Sequence, residues 1–181
     1  MRAFVAIFPP PEIQGTLIRA AKNISVDGNI RWVRRENVHL TLKFLGDIEE
    51  GMLEGVRAAL AEVAGRHGPF YVRPSGLGAF PSGKKARILW AGTHRGSPAL
   101  SSLAEDVESM LEPLGFGRER RGYKPHATLG RVRGRPVRLP DSADIQAPKF
   151  AVRRLDLIES ILGAEGATYR KLESYLLSRN T

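Results

Sequence analysis

The tetrapeptide His-x-Thr-Leu occurs twice in the chain, as His39-Leu40-Thr41-Leu42 and as His126-Ala127-Thr128-Leu129. Each copy lies in a run that reads as a strand, residues 37–46 and 125–132. Side chains alternate faces along a strand. His39, Thr41 and Lys43 are therefore expected on one face, with Val38, Leu40, Leu42 and Phe44 on the other. His126 and Thr128 likewise share a face, opposite Ala127 and Leu129. The apolar sides supply a core surface and leave each imidazole, with its hydroxyl two residues on, free to line a site. A lone strand histidine is most often structural. Two with the same flanks, in a chain holding four histidines, point to acid–base chemistry on a phosphate. His67 and His94 sit beside glycines and read as loop residues outside the chemistry.

The spacing of the copies, 126 − 39 = 87 residues, is close to half of the 181-residue chain. That length suits one packed domain or two small joined lobes. The periodicity predicts strands at 2–8, 30–33, 70–73, 87–91, 149–159 and 168–177 beside the two histidine strands. It predicts helices over 11–23, 49–65 and 97–112, and the 163–166 segment, Gly-Ala-Glu-Gly, is a turn signal. A helix precedes a strand pair in each half, and the mixed, short connections favour antiparallel pairing. The expected fold is α+β, with two pseudo-symmetric lobes of mainly antiparallel sheet facing a central cleft and helices packed outside. Residues 1–181 then form a single bilobal domain with one His-x-Thr-Leu motif per lobe.

Composition narrows the chemistry. The chain has no cysteine, which removes a disulfide framework, a thiolate metal site and a cysteine nucleophile together. The formal charge is +9, from 28 Lys and Arg against 19 Asp and Glu, a surplus that favours a polyanionic partner. Arg31, Arg34, Arg35 and Lys43 flank the first motif. Arg118, Arg120, Arg121, Lys124, Arg131, Arg133, Arg135 and Arg138 crowd around the second. Phosphate recognition places cations in just such surroundings. The N-terminal apolar run 3–8 is too short for a signal-peptide core, and no segment has the length of a membrane span. A cytoplasmic protein with no membrane partner is expected.

Residues 78–85, Gly-Ala-Phe-Pro-Ser-Gly-Lys-Lys, imitate a phosphate loop and fail as one. Lys85 stands where a magnesium-binding hydroxyl belongs, Pro81 removes a backbone N–H, and no helix follows. The segment reads instead as a basic, Gly/Pro-rich hairpin connection available to RNA.

With both motifs in place, the chain resembles the two-histidine phosphoesterase superfamily, and within it the RNA 2′,3′-cyclic phosphodiesterases, also known as 2′-5′ RNA ligases. The likeness runs over nearly the whole length. It takes in residues 2–7, 31–33 and 39–46, then 76–81 and 124–131, and closes with Glu159-Ser160 and residues 166–169. The resemblance implies a metal-free, cofactor-free site acting on the 2′,3′-cyclic phosphate ends of RNA, tRNA fragments among them, and yielding 2′-phosphates. It implies His39 as proton donor and His126 as proton acceptor, although the residues alone leave that choice open. Thr41 and Thr128 would hold the non-bridging oxygens. Arg131 matches the basic residue after the second motif, but alternation sets it opposite His126 unless the strand bulges near Gly130. Lys43 has the right parity for substrate, and Tyr123 is a candidate for base stacking. A monomer is expected, with 2′-5′ ligation a side activity of the same site.

Three rivals bear weighing. A non-catalytic RNA-binding module would use the same basic cleft without needing paired histidines. A metal hydrolase would need a cluster of His and carboxylates, yet neither motif has an acidic residue within it and no His-Glu-x-x-His helix exists. A secreted two-histidine nuclease would normally carry disulfides.

Overall fold

The computed structural model describes residues 1–95, 97–164 and 166–178; Gly96 and Glu165, which the sequence reading put in a loop and a turn, lie outside them. Among the described residues nine strands form one antiparallel sheet. They are β1 (Arg2–Ile7), β2 (Asn29–Trp32), β3 (Leu40–Asp47), β4 (Phe70–Phe80), β5 (Ile88–Arg95), β6 (Ala127–Arg133), β7 (Phe150–Val152), β8 (Arg154–Gly163) and β9 (Gly166–Leu176). The spatial order is β7-β4-β5-β6-β3-β1-β8-β9, with β2 also paired to β6. The α+β class and the antiparallel pairing are as expected.

The lobes are not the two halves of the sequence. The late hairpin β8–β9 returns to β1, so one lobe holds β1, β3, β8 and β9, while β4 to β7 and β2 make the other. Burial explains the return: Leu155, Leu157 and Ile158 of β8 are buried on both sheet faces, so β8 needs an interior place beside β1. Along this path four strands lie on each side of the β6–β3 junction, with β2 added at β6, and this gives the pseudo-two-fold arrangement. That junction is one residue pair wide, Leu40 opposite Ala127.

Among the described residues three α-helices cover the core face. Helix α1 (Pro11–Lys22) starts with proline at a position where a missing N–H costs nothing, and buries Leu17 and Ile18. Helix α2 (Leu53–Arg66) buries Val56, Leu60 and Val63. Helix α3 (Ser97–Leu111) buries Leu100, Leu103 and Val107. All three join Leu40, Leu42 and Leu129 in the main core, which leaves the opposite sheet face for the histidines. No helix among the described residues is long and apolar enough to cross a membrane.

Two details correct the sequence reading. The strand β4 runs on to Phe80, so only residues 81–87 form the basic connection to β5, with a 3₁₀ turn at Gly83–Lys85. His94, expected in a loop, lies in β5. Within β4, Gly78 leaves room for the Trp90 indole. A Cβ there would stand 2.1 Å from the ring, a distance no packed core tolerates. Gly78→Ala is accordingly expected to cost about 1–3 kcal/mol of stability, seen as a lowered urea midpoint with an unchanged slope.

Candidate active site

The single pair Leu40–Ala127 sets the geometry of the centre. Counting outward along antiparallel strands places His39 opposite Thr128 and His126 opposite Thr41, so each imidazole faces the hydroxyl of the other motif. All four side chains line one cleft of about 250 Å³, together with Arg31, Arg34, Asn37, Phe44, Arg131 and Tyr169.

Both imidazoles are held in the same way. His39 Nδ1 lies 2.7 Å from the Asn37 carbonyl and His126 Nδ1 lies 2.7 Å from the Lys124 carbonyl. A carbonyl only accepts, so each Nδ1 carries hydrogen and each Nε2 is left for chemistry. Thr41 Oγ1 is 3.0 Å from His39 Nε2, and donates to it while the ring is neutral. Aromatic rings enclose both imidazoles. Phe4, Phe8 and Tyr169 pack on His39 with ring centroids 5.0, 5.2 and 5.3 Å away. Phe80 and Trp90 pack on His126 at 5.1 and 5.9 Å.

This packing has an electrostatic consequence. Burial pushes the His39 pKa down to about 4, the Asn37 carbonyl opposes the shift, and His126 adds to it. His39 is therefore neutral at neutral pH. Its folded value lies below the ordinary 6.5, so an unfolded chain binds the proton that the fold refuses. Stability due to this group is full above pH 6.5 and is lost as pH falls from 6.5 towards 4. Tyr169 is raised by burial, with Arg131 opposing.

A bulge decides which flanking residues join the site. Val5 pairs with Lys43 and Ala6 with Thr41, so Leu42 is an extra residue on β3. The alternation flips there. Lys43, expected beside His39 and Thr41, turns into the core and is 6% exposed. Its Nζ donates to Glu108 Oε2 at 2.5 Å and to the Gly117 carbonyl at 2.8 Å, which removes it from any substrate contact. Phe44 takes the cleft face instead. The same bulge recurs in β6: Leu89 pairs with Gly130 and Trp90 with Thr128, leaving Leu129 extra. Arg131 is thereby brought to the cleft beside His126, the outcome the sequence reading made conditional on Gly130. Arg31 stands directly opposite Arg131 on β2. Both residues line the cleft, so it presents two cations to an anionic ligand.

Tyr123 is not at the cleft. It packs against the main core, burial raises its pKa, and its hydroxyl is buried without a hydrogen-bond partner. The sequence reading missed Asn37 and Tyr169. Asn37 Nδ2 donates to the Ala167 carbonyl at 3.1 Å, as Arg34 does, so the residue that orients His39 also ties in the start of β9. The signal for Phe4 and Phe8 was present as a Phe4-Ala6-Phe8 alternation, a small apolar patch with Ile158 beneath His39. Among the described residues no three His, Asp or Glu side chains cluster as metal ligands.

Comparison with known proteins bears on the family and the fold. A family model described as LigT like Phosphoesterase matches residues 7–90. A protein of Aquifex aeolicus (strain VF5) named RNA 2′,3′-cyclic phosphodiesterase is 31% identical, over 98% of this chain and 97% of its own length. One of the same name from Archaeoglobus fulgidus is 33% identical, over 97% and 99%. Among solved structures, the TT0787 protein of Thermus thermophilus superposes with a TM-score of 0.87 at 28% identity over 100% of both chains. The LigT protein of E. coli, complexed with 3′-AMP, shares the fold at a TM-score of 0.83 and 24% identity over 98% of both. Sequence, sheet order and site together place the chain in the LigT-like phosphoesterase family.

Proposed function

We propose that this protein opens the 2′,3′-cyclic phosphate ends of RNA to 2′-phosphomonoesters, using two imidazoles and no metal ion. The observation that carries the reading is the paired anchoring: both Nδ1 atoms donate to carbonyls two residues upstream, leaving two Nε2 atoms across one cleft. The names borne by the Aquifex and Archaeoglobus relatives support the substrate class.

In the proposed reaction, His126 Nε2 takes a proton from water as the water oxygen bonds to phosphorus. The P–O3′ bond breaks, and His39 Nε2 gives its proton to O3′. Thr41 and Thr128 donate to the non-bridging oxygens, and Arg131 with Arg31 balances the charge. Protonating His39 reverses its bond to Thr41, because Nε2–H then donates to Oγ1 and frees the Thr41 hydrogen for phosphate. The donor role requires a proton that burial of the imidazole disfavours, so the anionic phosphate must supply the counter-charge. Ring-proton NMR is expected to give His39 a pKa of about 4 in the free protein and a higher one with sulfate in the cleft. One break in kcat/KM should lie near pH 4, and its counterpart in kcat should lie higher, since kcat reports the bound state. Identical breaks in both profiles would refute this coupling. Joining through a 2′-5′ bond is the same step with an RNA 5′-hydroxyl in place of water: its oxygen bonds to phosphorus as P–O3′ breaks and O3′ takes the proton, and it is a minor activity of the site.

The deciding experiment follows a short RNA ending in a 2′,3′-cyclic phosphate by phosphorus NMR, with protein and excess chelator. Accumulation of a 2′-phosphate supports the proposal. RNA binding without conversion would assign the cleft to a binding module, and conversion abolished by chelator would assign the reaction to a metal.

A further inference from the structure

Phe44 and Arg131 occupy equivalent places, each five residues beyond its histidine and just past the bulge at Leu42 or Leu129. Both line the cleft, yet they differ in kind. Phe44 is 73% exposed, and among the described residues the ring it meets is Phe4, 6.1 Å away. An aromatic face left open on the wall of a basic cleft suits a nucleobase, which offers a π-face whatever its identity. Arg131, opposite Arg31, suits phosphate.

The difference matters because the remaining chemistry is nearly symmetric. A bound phosphate meets one imidazole and one hydroxyl from each motif in either of two orientations related by a half-turn. The proton-transfer groups therefore cannot by themselves choose which side the ribose occupies. Building on the cyclic phosphodiesterase reading, we infer that Phe44 is the platform for the base of the terminal nucleoside and thereby selects the orientation of the RNA end. Phe44 lies on β3, across from Phe4, which also packs on His39. A base stacked there puts the ribose on the His39 side, so the departing ribose oxygen meets His39 and water meets His126. The fixed base also leaves one of the two vicinal oxygens in line with the attacking water. Phe44 is thus a substrate-orienting residue whose loss affects product identity as well as rate.

The test compares adenosine 2′,3′-cyclic phosphate with methyl riboside 2′,3′-cyclic phosphate, which has no base, in wild type, Phe44→Ala and Phe44→Tyr. Phe44→Ala is expected to raise KM for the adenosine substrate roughly tenfold or more and to leave the methyl riboside unchanged. It should also add 3′-phosphate to the product, read by phosphorus NMR, and Phe44→Tyr should restore both values. Equal effects on the two substrates, or an unchanged KM and product ratio, would overturn the inference. If wild type turns over neither substrate, the reading of the reaction fails instead. Calorimetry with adenosine 2′-monophosphate then decides the platform: weaker binding by Phe44→Ala upholds it, and equal or absent binding overturns it.

Discussion

Replacing either His39 or His126 by alanine is expected to lower kcat by about 10²–10⁴-fold, the usual worth of one positioned proton-transfer group. The double variant should fall little below the weaker single one, because groups acting in one step are not additive. The two sites call for different controls. His39 packs against Phe4, Phe8 and Tyr169, so its removal opens a gap that thermal denaturation must separate from lost chemistry. His126 allows a cleaner change. In His126→Asn the side-chain amide can still donate towards the Lys124 carbonyl that holds Nδ1, but it cannot take a proton at the Nε2 position. Holding and proton transfer are thereby separated. Activity surviving in His126→Asn and in His39→Ala would defeat the two-imidazole scheme.

The second large effect concerns stability. Lys43 and Glu108 form an ion pair whose side chains are 4% and 13% exposed, joining β3 to α3. The lysine also holds the Gly117 carbonyl, on the segment that leads to the second motif. Lys43→Met leaves a carboxylate buried without its cation and should cost about 3–5 kcal/mol. Glu108→Leu should cost a similar amount for the complementary reason. Joined together, the two changes should recover most of the loss, since a buried pair exchanged for apolar groups of like size is often neutral. Urea denaturation of the four proteins completes the cycle. Additive losses would show that Lys43 and Glu108 do not act as a pair.

Much of the site was legible because it rests on short-range parity. His39 with Thr41, and His126 with Thr128, share faces as period-two alternation requires, and no bulge intervenes between them. Beyond Leu42 and Leu129 that rule breaks. A bulge depends on the partner strand, and nothing in residues 39–46 announces the extra residue. Lys43 and Phe44 therefore exchanged places relative to the sequence reading, while Gly130 gave a usable hint for Arg131. Lobe composition was illegible for a related reason. The pairing of β8 with β1 joins residues about 150 positions apart, and local periodicity carries no record of it. Tyr123 shows the limit from another side, since an aromatic residue among arginines reads as a stacking platform until its burial in the core is known.

The backbone carbonyl two residues before each histidine fixes the hydrogen of that imidazole within a single short peptide. Each motif thus arrives chemically prepared by the peptide just before its strand, and the opposite lobe supplies the matching half. In this sense the proposed catalytic centre is a subunit interface written into one polypeptide: two separately prepared half-sites form one site by meeting, as identical protomers do across a dimer axis.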